Sequence, residues 1–127
     1  GEPIPDAVFI ESTVGGKVIV TDSTTGLIWA KEYASMDKDW EDALYYCESL
    51  DYAGYTDWRL PDLAELQSLV DYFRYNPSTS FPEMPVSYFW SSSSCVFGAG
   101  NAWVVSFGSG SVVRPDKTIA YNARCVR

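Results

Sequence analysis

Apolar residues recur at helical spacing in two stretches of this chain and alternate in steps of two through its last third. Behind Asp39, the residues Trp40, Ala43, Leu44, Cys47 and Leu50 fall at i, i+3, i+4, i+7 and i+10, which is one face of a helix. Asp39 is placed to cap that helix. Its carboxylates, Asp37, Asp39, Glu41, Asp42 and Glu48, lie largely on the opposite, solvated side. Behind Asp62, the residues Leu63, Leu66, Leu69, Val70 and Phe73 form a second stripe, with Glu65, Gln67 and Asp71 facing water. Asp62 with Glu65 three residues on reads as a capping box, each side chain satisfying a backbone N–H that the first turn leaves unpaired. Arg59, between two apolar neighbours, is expected to lay its stem on the core and pair its head with a nearby carboxylate.

The remaining pattern predicts strands. Lys17–Asp22 and Leu27–Ala30 flank a polar Ser23–Gly26 turn and read as a hairpin with Trp29 buried. Ser87–Ser93, Ala102–Phe107, Ser111–Arg114 and Ala120–Val126 follow the proline-punctuated segment Asn76–Pro85. In Ala102–Phe107, Trp103, Val105 and Phe107 alternate with Ala102, Val104 and Ser106, the pattern of a strand with one face on the core. In the last strand Tyr121, Ala123 and Cys125 share one face and Asn122, Arg124 and Val126 the other, which aims Cys125 inward. Residues 1–16, with Pro3 and Pro5, read as an extended arm joining a preceding domain, and residues 17–127 as a single domain.

Cysteine usage adds a compartment. Three cysteines at wide spacing and no histidine exclude the usual zinc patterns. Cys47 and Cys125 both fall on core-facing sides, one on the first helix and one on the last strand, so we pair them, leaving Cys95 as the odd residue. A bridge fits an exported protein, secreted or held at the cell surface.

Charge is uneven. The net charge of -8 divides into 16 acidic and 5 basic side chains over residues 1–83, whereas residues 84–127 hold Asp116 against Arg114, Lys117, Arg124 and Arg127. An acidic body argues against nucleic acid as a ligand, because phosphate binding needs clustered Lys and Arg. No apolar run approaches the length of a membrane span. Catalysis is not expected: with no histidine, a nucleophile in Ser91–Ser94 lacks its usual base, and no phosphate-cradling glycine loop is present. No cofactor or metal is expected either, since downstream of Glu83 only Asp116 supplies a carboxylate for calcium. Recognition is the reading that remains. The loops Val96–Asn101 and Ser109–Thr118 combine Gly and Ser with an aromatic anchor and adaptable polar groups, which makes Phe97, Asn101, Arg114, Asp116 and Lys117, with Asn122, the candidate ligand-binding residues.

Thr25-Gly26-Leu27-Ile28-Trp29, Cys47-Glu48-Ser49-Leu50, Asp57-Trp58-Arg59-Leu60-Pro61, Phe89-Trp90-Ser91-Ser92, Ala102–Phe107 and Arg124-Cys125-Val126-Arg127, in this order, resemble one bacterial family. It is the Lcl-type C-terminal domain of collagen-like adhesins, long catalogued as a domain of unknown function, and the likeness runs from about Val18 to Arg127. The resemblance implies an α+β, C-type lectin-like fold, two helices packed on a small twisted, mostly antiparallel sheet. It also implies a helix-to-last-strand disulfide, matching Cys47 with Cys125. It further implies an adhesion module of a bacterial or phage-associated surface or secreted protein, meeting a host or cell-surface glycan or protein through its C-terminal loops. One adhesin branch grips sulfated glycans with basic surface, and this acidic chain departs from that. The alternative function is structural, an oligomerisation domain of a surface stalk, with any homo-oligomer formed through the parent protein.

Overall fold

The computed structural model describes residues 8–79, 81–95 and 100–127. In chain order the elements are β1 (Phe9–Val14), β2 (Lys17–Asp22), β3 (Ile28–Ala30), β4 (Ala34–Lys38), α1 (Trp40–Glu48), α2 (Leu63–Gln67), β5 (Tyr88–Ser94), β6 (Ala102–Ser106), β7 (Val112–Val113) and β8 (Tyr121–Ala123). The fold is α+β, with two small helices against antiparallel-rich sheets. There are two sheets rather than the one expected: β1-β2-β3, and a five-stranded sheet in the order β4-β8-β5-β6-β7. All pairs are antiparallel except β5 with β8, where Phe89 lies opposite Asn122.

The segment expected as an arm over residues 1–16 contains β1, which pairs with β2 from Phe9–Asp22 to Val14–Lys17. Gly15 and Gly16 close that hairpin at φ +58° and +81°, a left-handed pair that side chains disfavour. The predicted β2–β3 hairpin forms as read, and Trp29 is fully buried.

The C-terminal residues join the two sheets. Val126 bridges Trp29 on one side and Arg59 on the other, and Ile28 and Arg127 exchange both backbone hydrogen bonds at 2.8–2.9 Å. Cys125, just before this seam, is bonded to Cys47 of α1, with Cα atoms 5.4 Å apart. The pairing is the one the side-chain phases indicated.

Two apolar clusters lie on opposite faces of the large sheet. Trp90, Val104, Ala123 and Cys125 meet Ala43 and Cys47 of α1, together with Trp58 and Leu60. Phe89, Val105, Phe107 and Val126 meet Leu66 of α2, Trp29, Phe81 and Met84. This corrects the expectation of one core face for Ala102–Phe107: adjacent residues Val104 and Val105 are both fully buried, each in a different cluster. The same holds for the last strand, where Asn122, Arg124 and Val126 are as inaccessible as Ala123 and Cys125. Alternation finds which residues share a face; it does not say that the second face is wet.

Both caps form as predicted. Asp39 accepts from the Asp42 N–H at 2.9 Å. Asp62 accepts from the Glu65 N–H at 2.8 Å while Glu65 Oε1 receives the Asp62 N–H at 3.0 Å. The second helix is shorter than its stripe predicts, five residues ending at Gln67. The Ser68 hydroxyl turns back onto the Glu65 carbonyl, and Asp71 accepts the Phe73 N–H and the Arg74 guanidinium, bending the chain away. Leu66 and Leu69 stay buried, but Phe73 is 99% exposed. Glu65, expected in water, is drawn onto the Arg59 guanidinium, the carboxylate partner that Arg59 called for.

Candidate functional site

Asn101 lies just before β6, and Arg114, Asp116 and Lys117 lie in the connection from β7 to β8. These four candidate residues are brought together. Asn101 and Asp116 form an isolated antiparallel bridge, and the Asn101 side-chain amide donates to the Arg114 carbonyl at 2.9 Å. The Lys117 N–H donates to the Gly100 carbonyl at 2.8 Å and the Ala102 N–H to the Pro115 carbonyl at 3.3 Å. Residues 100–102 and 114–117 therefore form one stapled unit.

Asp116 holds its own end of the loop. One carboxylate oxygen accepts from both the Thr118 N–H and hydroxyl, at 2.9 and 2.8 Å. These hydrogen bonds, the backbone one first, hold its carboxyl below the usual aspartate value. Asp116 stays charged near neutrality, with its second oxygen directed to no partner among the described residues.

Both cations rest on indoles. Lys117 Nζ lies 4.0 Å from the centre of the Trp40 ring, and the Arg114 guanidinium lies 6.0 Å from that of Trp103. Trp40 is fixed in turn, its indole N–H donating to the Ser91 carbonyl at 2.9 Å and its backbone N–H to the Lys117 carbonyl at 3.0 Å. Arg114 also approaches the Cys95 sulfur at 3.7 Å, and Cys95 is buried. The sequence reading assigned Trp40 and Trp103 to core packing. Both are half-buried with a cation over the ring, and Trp40 also packs against the core cluster beneath α1. No spacing rule links Trp40 to Lys117, because the contact exists only once α1 and the last loop are packed together.

Two candidates do not join this group. Asn122 is 2% exposed within β8, beneath the surface rather than on it. Phe97 lies outside the described residues. Among the described residues no group of three or more His, Cys, Asp or Glu side chains converges on a common point. A cavity of about 590 Å³ opens elsewhere, lined by none of the candidates.

The arrangement offers two cationic donors, a carboxylate oxygen and indole edges on a pinned loop pair. That is equipment for holding a polar partner by shape and charge. Residues 18–127 match the family of the Lcl C-terminal domain. No curated protein matches the chain.

Proposed function

The chain belongs to the Lcl C-terminal domain family, and from that membership we propose that it is a recognition module of an adhesin-like surface protein. It binds rather than catalyses, and its ligand is a glycan or protein on a host or other cell surface. The observation that carries this reading is the stapled loop pair, in which Asn101, Arg114, Asp116 and Lys117 share one edge and two of them are seated on Trp40 and Trp103. Trp40, Trp103 and Asn101 around a rigid charged centre supply contact area at small entropic cost. Export agrees with the Cys47–Cys125 bridge, and no helix among the described residues is long and apolar enough to cross a membrane.

The test is a glycan array run beside capture on intact cell surfaces, with the wild-type domain and an Arg114→Ala/Lys117→Ala variant of equal melting temperature. Binding that falls at least about tenfold in the variant supports the assignment. Equal binding by both proteins would move recognition off these loops.

A further inference from the structure

The cavity of about 590 Å³ away from those loops is lined by Gly16, Val18, Lys31, Glu32, Tyr33, Tyr46, Tyr52 and Glu83. Its size falls within the range of small-ligand sites. The β1–β2 turn forms one rim, where a Cβ on Gly16 would meet no atom within 4 Å. The start of the β3–β4 connection gives Lys31, Glu32 and Tyr33, and α1 gives Tyr46.

The tyrosines differ in what they have left to offer. Tyr52 is a fixed wall: it is 4% exposed, and its hydroxyl donates to the Val18 carbonyl and accepts the Glu32 N–H. Tyr33 packs edge-on against Phe89 at 5.6 Å and keeps 36% of its surface open. Tyr46 is half-buried, and its hydroxyl makes no hydrogen bond among the described residues. Burial, and then the Glu32 carboxylate, push its pKa up, so it remains a neutral phenol able to donate and accept.

Charge decides the class of ligand. Around the cavity Lys31 Nζ pairs with Glu11 at 3.0 Å and with Glu83 at 3.5 Å, and Lys17 Nζ pairs with Glu32 at 3.4 Å. Behind the lining, the Arg124 guanidinium is buried, lies 5.0 Å from the Tyr33 ring centre and donates to the Lys31 carbonyl at 2.8 Å. Lys17, Lys31 and Arg124 thus balance Glu11, Glu32 and Glu83, an evenly matched set in a protein of net charge -8. Such a site has no excess of either sign to draw in an ion. It does have carboxylates to accept hydroxyl protons, an ammonium and a phenol to donate, and tyrosine rings to cover C–H faces.

We propose that this cavity is a second binding site, which takes one ring of a neutral saccharide, hydroxyls on Glu32, Glu83, Lys31 and Tyr46 and a C–H face on the tyrosines. It is independent of the loop site. The test is a two-dimensional amide NMR titration of the oxidised domain with methyl α-mannopyranoside, methyl β-galactopyranoside and methyl N-acetyl-β-glucosaminide, each to about 20 mM, enough to detect millimolar binding. The expected result is saturable shifts at Gly16, Val18 and residues 31–33 with at least one of the three. Tyr46→Ala and Glu32→Gln should each weaken that binding roughly tenfold or more while spectral dispersion is kept. Arg114→Ala/Lys117→Ala should leave it unchanged, so that failure of the loop assignment and failure of this one are told apart. The proposal is overturned if none of the three sugars moves those amides, or if the shifts persist in both pocket variants.

Discussion

The ammonium of Lys117 sits 4.0 Å above the centre of the Trp40 ring, which seats a cation from the last loop on the first residue of α1. A partly exposed contact of this kind contributes about 0.5–1 kcal/mol. Lys117→Ala and Arg114→Ala should each therefore lower the unfolding free energy by less than about 1 kcal/mol, read from urea denaturation midpoints, while weakening capture on the cell surface. A loss above about 2 kcal/mol would make the loop part of what holds the fold.

Glu65 should give a pH signature. Hydrogen bonding to Arg59, assisted by the Asp62 N–H, holds its carboxyl below the ordinary 4.5. A carboxylate depressed in the folded state stabilises fully above its unfolded pKa and loses that contribution as pH falls through the folded one. Glu65→Gln can still cap α2, so it isolates the charge. Arg59 is half-exposed, and the pair is worth about 0.2–1 kcal/mol after solvent screening. The variant should melt below wild type at pH 7, and the gap should close as pH is lowered beneath about 4.5. A gap constant down to pH 3 would mean that the pair is not formed in solution.

Cys47 and Cys125 close a loop of sequence separation 78. The chain-entropy estimate puts such a bridge at about 4 to 4.5 kcal/mol. Unreduced peptide mapping should recover these two joined, and Cys95, being buried, should alkylate only after denaturation. Cys95 recovered in a bridge with either residue would contradict the packing of α1 on β8.

The break in the second stripe predicts opposite outcomes for two apolar residues in one run. Leu66→Ala should destabilise by about 2–5 kcal/mol, as buried leucines do, whereas Phe73→Ala should stay within about 0.5 kcal/mol. Thermal melts of the two variants decide it. Equal losses would mean that the helix continues through Phe73.

What the sequence determined by itself is local: both caps, the phase of α1, the β2–β3 hairpin, the burial of Trp29, and the inward aim of Cys47 and Cys125. Each follows from contacts within a few residues or from the two periodicities, so each is written where it acts. Tertiary structure decided what lies across from a face. Only the packed molecule puts a second core against Val104 and Val126, brings Phe9–Val14 into a sheet, and buries Arg124 between Phe81 and Phe89 with backbone carbonyls in place of a carboxylate. Burial there pulls the Arg124 pKa down to about 10, a cost that no local pattern announces. The loops divide the same way. Composition marked Asn101, Arg114, Asp116 and Lys117, but their union with Trp40 and Trp103, and the removal of Asn122 into β8, depend on contacts between residues far apart in the chain, which only the closed fold brings within reach.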